Sequence, residues 1–174
     1  MLVRHGETDW NADGRLQGHT DRPLSEYGRR QARQLATELE HEELEAIYAS
    51  DLSRAHETAE IVGEQLGLAV VLDPDLREKD WGTWEGLTSV ERDRVEFVGE
   101  STEAHRDRML RALRRVSERH LGDGRILVVT HGGSIRRVQT ATLGWALPVV
   151  ENCGRWLCVY EDGAFRAAAT SAER

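Results

Sequence analysis

Arg-Ile-Leu-Val-Val-Thr-His-Gly-Gly-Ser occupies residues 125–134. The apolar run Ile126 to Val129 has the length and β-branched content of a buried strand. Two glycines follow it, and Ser134 then opens a helix predicted to run to about Leu143. Strand, glycine turn and helix in that order are the local signature of a parallel sheet with covering helices. Free N–H groups at the helix start, with the positive end of the dipole, make the turn an anion site. His131 stands at its edge.

The same alternation extends outward in both directions. Upstream, Glu45 to Ala49 reads as a buried strand. It is followed by a helix over about 53–66, with Ala55, Ala59, Val62 and Leu66 on one face and Gly67 as its stop. Ala69 to Leu72 is a further strand. Ser25 caps a helix that carries Leu35 and Leu39, and Ser101 caps a long one that carries Leu110, Leu113 and Val116. Leu2-Val3-Arg4 is the end of a strand, short enough to suggest a trimmed start. Residues 78–99 read mostly as loop. Arg155 to Tyr160 and Ala164 to Ala168 are predicted to form a closing hairpin around Asp162-Gly163. The fold class is therefore α/β: a three-layer α/β/α arrangement with a mainly parallel central sheet, in one domain over 1–174. Such sheets bind ligands at the carboxyl ends of their strands.

Composition narrows the function. The chain has 174 residues, 39% of them apolar, and a net charge of −8. The acidic balance argues against nucleic acid as a partner. No stretch approaches the length of a membrane span, and no signal-peptide pattern opens the chain. No linker or repeat is visible, and no tail longer than the last few residues. Cys153 and Cys158 match neither a zinc spacing nor a redox pair; they read as small core residues and point to a cytoplasmic location.

Four clusters carry the chemistry. Arg4-His5-Gly6 ends a strand, so an imidazole on a rigid element faces the crevice, beside a guanidinium fork suited to phosphate oxygens. Alone, such a pair is more often structural. His131 at the 130–134 turn is the second strand-end histidine, and it changes that balance. Arg54 lies in the first turn of the 53–66 helix, where a cation opposes the dipole. That cost hints at an anionic ligand, a solvated Arg54 being the plain alternative. Finally, Leu-Arg-Glu-Lys-Asp-Trp-Gly at 76–82 offers Glu78 and Asp80 as proton donors beside an aromatic ring. Spacing does not choose between them.

Together these stretches resemble the histidine phosphatase superfamily, in its phosphoglycerate mutase-like branch. The resemblance rests on Leu-Val-Arg-His-Gly-Glu-Thr-Asp-Trp-Asn at 2–11, Arg-Leu-Gln-Gly at 15–18 and Pro-Leu-Ser-Glu-Tyr-Gly-Arg-Arg-Gln-Ala at 23–32. It continues in Ala-Ser-Asp-Leu-Ser-Arg-Ala at 49–55, Leu-Arg-Glu-Lys-Asp-Trp-Gly-Thr-Trp-Glu-Gly at 76–86, Gly-Glu-Ser at 99–101 and Val-Val-Thr-His-Gly-Gly at 128–133. It implies a phosphomonoesterase with His5 as nucleophile and Arg4, Arg54 and His131 on the phosphate. Asn11, Gln17, Gly18 and the Gly132 N–H would complete the pocket. Glu78, not Asp80, would be the acid. No metal or other cofactor is implied, and a homodimer is the common assembly.

Mutases of this family resemble a design with a long insertion after the acid, Arg directly after it, and Asn after His-Gly. Here residues 79–99 separate Glu78 from Glu100, Lys79 follows the acid and Gly133 follows Gly132. That favours a phosphatase for a small phosphorylated metabolite, over a cofactor-dependent mutase or a silent scaffold of the same fold. Specificity is expected from 79–101 and from Trp10, Trp81 and Trp84, with Trp10 and Trp84 read as core packing. The arginines at 106, 108, 111, 114, 115 and 119 read as a solvated helix face. The apolar run 143–150 is a faint sign of an interface.

Overall fold

The computed structural model describes residues 1–120, 122, 124–145 and 147–168. Ala146 of the apolar run and the tail at 169–174 lie outside them.

In chain order the elements are β1 (Leu2–Arg4), α1 (Asp9–Ala12), α2 (Glu26–Leu39), β2 (Leu44–Ala49), α3 (Ser53–Leu66), β3 (Val70–Leu72), two short 3-10 turns (Pro74–Leu76 and Gly82–Trp84), α4 (Ser89–Arg92), α5 (Thr102–Arg119), β4 (Arg125–Thr130), α6 (Gly132–Leu143), β5 (Arg155–Trp156), β6 (Cys158–Glu161) and β7 (Ala164–Ala167). Local chemistry explains the helix ends. Ser25 Oγ accepts from the Gly28 N–H, and Ser101 Oγ accepts from the Ala104 N–H. Gly67 stops α3 in the left-handed region at φ +69°.

The main sheet runs β3-β2-β4-β1-β5. Its first four strands are parallel, and β5 pairs antiparallel with β1. Alternate strand residues feed two cores. Val3, Ile47, Ala49, Leu127 and Val129 face Leu35, Leu39, Ala55, Ala59 and Val62 of α2 and α3. Leu2, Tyr48 and Val128 face Met109, Leu113, Ile135 and Val138 of α5 and α6. That is the three-layer arrangement expected, since strands covered on both sides bury both of their faces.

Several local expectations are corrected. The closing hairpin is β6 with β7 only; Arg155-Trp156 is drawn away to the sheet edge beside β1. Helix α6 begins at Gly132 rather than Ser134, and His131 is its N-cap. Within 78–99, Thr88 caps the one-turn helix α4 by a reciprocal pair with Glu91. Trp10 and Trp84 are half-buried surface residues, not core. Trp84 stacks on Trp81 and packs on Phe97 with ring centroids 4.7 Å apart, a cluster local to the 79–101 loop. Cys153 and Cys158 are half-buried free thiols packed against the two cores.

Candidate active site

Parallel pairing sets the site. Arg4 of β1 is in register with Thr130 of β4, so the next residues, His5 and His131, emerge side by side at the carboxyl edge. Their ring centroids are 5.2 Å apart, edge to face. Both rings are buried, at 3% and 1% exposure. His5, with His131 packed behind it, borders a cavity of about 400 Å³ that is also lined by Arg4, Arg54, Glu78, Asn11 and Gln17, among others.

Hydrogen bonds fix which nitrogen carries each proton. His5 Nδ1 lies 2.6 Å from the Gly6 carbonyl. A carbonyl only accepts, so Nδ1 holds the hydrogen and the Nε2 lone pair stays free. His131 is held through its other nitrogen. Ser50 Oγ receives the Leu52 N–H and lies 2.9 Å from His131 Nε2. Assigning the Ser50 hydroxyl hydrogen to Nε2 puts the His131 proton on Nδ1, which is buried and has no protein partner. Burial lowers the pKa of both imidazoles well below the usual value, with Arg54 the next contribution. Both rings are neutral.

The guanidinium groups repeat the pattern of unspent donors. Arg54 donates to the Gly18 carbonyl at 2.7 Å and to the Thr20 carbonyl at 3.2 Å, yet its buried Nε has no acceptor. Burial lowers Arg54 to about 10, so it stays charged at neutral pH. At 1% exposure it is not the solvated residue of the plain alternative. Arg4 donates to the Val150 carbonyl at 3.0 Å and likewise keeps a buried, unpaired Nε. Buried donors left without acceptors are costly. Two of them on cavity-lining arginines, and a third on the adjacent His131, mark a place for an anion.

Glu78 completes the site from the other side. Its Oε2 accepts the Gly133 N–H at 2.9 Å, and its Oε1 accepts the Lys79 N–H at 2.8 Å. A Cβ at Gly133 would lie 2.4 Å from Glu78 Oε1, so only glycine lets the carboxyl reach the helix start. Asp80 is turned away and accepts the Gly82 N–H.

All nine residues expected from the sequence border the cavity or touch its wall. Gln17 lines it with a buried, unpaired Oε1, and Gly132 lies at the α6 N-terminus. Gly18 contributes chiefly its carbonyl, which orients Arg54. Asn11 Oδ1 accepts from Thr8 and from Asn152 Nδ2.

Four supporting residues were not anticipated. Asn152 also donates to the His5 carbonyl at 2.9 Å, and Ser50 Oγ holds the His131 ring through Nε2. Glu85 receives the N–H groups of His19, Thr20 and Trp81, pinning the loop that positions Arg54. Arg108 belonged to the expected solvated face. Instead it pairs with Glu100 at 2.8 Å and donates to the carbonyls of Asp75, Arg77 and Glu78. Glu85 stood inside the family-like text at 76–86 and Ser50 inside that at 49–55; the other two gave no local signal.

The family model described as histidine phosphatase superfamily (branch 1) matches residues 1–170. The phosphoglycerate mutase-like protein 4 of Arabidopsis thaliana is 41% identical over 155 residues, covering 78% of this chain and 67% of that protein. A metal-independent phosphoserine phosphatase, also of Arabidopsis thaliana, is 37% identical, covering 79% of this chain and 66% of that protein. Among solved structures, a mycobacterial glucosyl-3-phosphoglycerate phosphatase complexed with VO3 superposes with TM-score 0.82 at 30% identity, covering 95% of this chain and 93% of the other.

Proposed function

We propose a mechanism from one premise: the chain belongs to branch 1 of the histidine phosphatase superfamily and is a phosphomonoester hydrolase. The reaction runs through phosphorylated His5. The observation that carries this reading is the free Nε2 of His5 beside the unspent donors Arg4 Nε, Arg54 Nε and His131 Nδ1. Phosphoryl transfer demands positioning and charge stabilisation more than covalent help from the protein. Three donors can meet the three non-bridging oxygens of the phosphoryl group, with Asn11, Gln17, Gly18 and the Gly132 N–H completing the cradle.

His5 Nε2 attacks phosphorus as the P–O bond to the alcohol breaks. Glu78 gives its proton to the departing oxygen. The positive charge that develops on the imidazole is held by the Nδ1–H bond to the Gly6 carbonyl. Water then attacks the phosphohistidine and gives its proton to the Glu78 carboxylate. The P–N bond breaks and its electron pair returns to His5. No step calls for a metal. Between Lys79 and Ser101 the chain forms only a 3-10 turn and the one-turn helix α4. So short a segment leaves water free to enter, which favours hydrolysis over mutase chemistry. The substrate is a small phosphorylated metabolite, and two free thiols fit a reducing compartment such as the cytoplasm.

The test is chemical quench with a ³²P-labelled phosphomonoester in EDTA. An acid-labile, alkali-stable label on His5, absent from a folded His5→Ala variant that also releases no phosphate, is expected. Full turnover by that variant would overturn the mechanism.

A further inference from the structure

The cavity wall carries more positive charge than one phosphoryl group needs. Beyond Arg4 and Arg54 it includes Arg15, Lys79, Arg92, Arg136 and Arg137, while Glu78 is its sole acidic residue. The chain as a whole is acidic, at −8. Two of these cations are engaged. Arg15 donates to the Gly86 carbonyl at 2.7 Å and pairs with Glu91, and Arg92 pairs with Asp93.

The other three are not engaged by acids. Among the described residues, no carboxylate lies within ion-pair distance of Lys79, Arg136 or Arg137. Arg136 has a buried Nε with no acceptor. Lys79 is 8% exposed, and its ammonium sits 4.5 Å from the rings of both Trp81 and Phe97. Among the described residues, the ammonium has one hydrogen bond, a long one of 3.5 Å to Thr102 Oγ1. Burial, and then Arg137, make its charged form less favourable. Arg136 and Arg137 follow the Gly132-Gly133 turn by one helical turn of α6, and Lys79 follows Glu78. The cluster therefore adjoins the proposed acid, on the side where the leaving alcohol must lie. Like charges gathered at a partly buried wall cost free energy that a bound anion would offset.

We infer that Lys79, Arg136 and Arg137 form a second anion subsite, for a carboxylate or phosphate carried by the alcohol half of the substrate. Resting on the phosphatase reading, this names the substrate class: phosphomonoesters of anionic alcohols. The cluster separates substrates by a charge several bonds from the reacting phosphorus, so it acts on specificity and not on the chemical step.

The pair 3-phosphoglycerate and glycerol 3-phosphate tests it, because they differ by a carboxylate in place of a hydroxymethyl group. The native enzyme should favour 3-phosphoglycerate in kcat/KM by at least about tenfold, as expected for a charge-assisted contact. Arg137→Ala and Lys79→Met should each erase most of that preference through KM, with p-nitrophenyl phosphate turnover within about twofold of native. No native preference, or one that survives both substitutions, would overturn the subsite. So would equal loss on every substrate, which is a packing effect. Calorimetric binding of the same two ligands to His5→Ala protein, with and without Arg137→Ala, reads the subsite without turnover. A carboxylate preference there that depends on Arg137 upholds it even if hydrolysis fails; its absence overturns it even if hydrolysis stands.

Discussion

A single carbonyl, that of Gly6, decides which nitrogen of His5 can attack. The same economy governs Glu78, which is aimed by two backbone N–H groups, one on each oxygen. Its seat exists because residue 133 has no side chain. A methyl group there would meet Oε1 at 2.4 Å and Oε2 at 2.9 Å. The backbone at 133 is helical, so Gly133→Ala should fold normally and act through Glu78 alone. If Glu78 protonates the leaving oxygen, both Gly133→Ala and Glu78→Gln should slow glycerol 3-phosphate by about 100-fold or more. Both should slow p-nitrophenyl phosphate far less, because nitrophenolate departs without a proton. The ratio of kcat for the two substrates is the readout. Equal slowing of both in Glu78→Gln would remove the acid role; no change in Gly133→Ala would mean that the carboxyl is positioned otherwise.

At the scale of elements, the site depends on how closely the loop after β1 rides on α2. Gly6 and Gly28 face one another backbone to backbone. A Cβ on Gly28 would lie 2.1 Å from the Glu7 carbonyl oxygen, and one on Gly6 would lie 2.6 Å from the Gly28 oxygen. Because the obstructing atoms are main chain, neither can swing aside. Gly28→Ala should cost about 1–3 kcal/mol, the usual cost of overpacking. In a domain of this size that is a fall of several degrees in Tm. It should also lower kcat, since the Gly6 carbonyl that orients His5 belongs to the same contact. Calorimetry with a parallel activity assay checks it, and an unchanged Tm would show that α2 can shift. Contacts of this kind also explain what could be read in advance. Helices α2, α3 and α5 are legible because Ser25, Gly67 and Ser101 mark their ends within a few residues. His5 and His131 are legible because each follows a strand directly, and Arg54 because it stands, a cation, in the first turn of the helix after one. Asn152 and Arg108 are not. Asn152 reaches the His5 carbonyl across most of the chain, and Arg108 reaches the Glu78 loop from α5. A lone Asn in a turn and one Arg among many leave no local pattern. The short β5 misled for a related reason: its pairing is settled by β1 from the far end of the chain.

For the whole molecule, the two neutral histidines tie stability to pH. His5 is faced by Arg4, Arg54 and His131; His131 is faced by Arg4, Arg54, His5 and His105. Burial and then these positive neighbours push both pKa values well down in the folded state. In the unfolded chain each histidine titrates near its ordinary value of about 6.5. Below that pH the unfolded state takes up protons that the folded state refuses, so acid favours unfolding. Above it both states are neutral and the contribution is flat. Two such groups can tilt stability by at most about 3 kcal/mol per pH unit once the unfolded imidazoles are charged. Carboxylates act in a separate window. Asp51 is held low by its hydrogen bond from Arg77, and Glu100 by Arg108 against the opposing effect of burial. Their stabilisation is lost only as pH falls through those lowered values, beneath the usual carboxylate value of about 4. Thermal unfolding should therefore show a plateau above about pH 7 and a first decline from about 6.5 downward, with a second loss below about 4. Ring-nitrogen chemical shifts supply the direct check. His5 and His131 should keep neutral signatures through the first decline, with His5 protonated on Nδ1 and His131 also on Nδ1. A level Tm between pH 7 and 5, or imidazoles that titrate at their ordinary value, would mean that the site admits water and charge more freely than its burial implies. The donors left open at Arg4, Arg54 and His131 would then be hydrated, and the anion cradle would lose its main physical support.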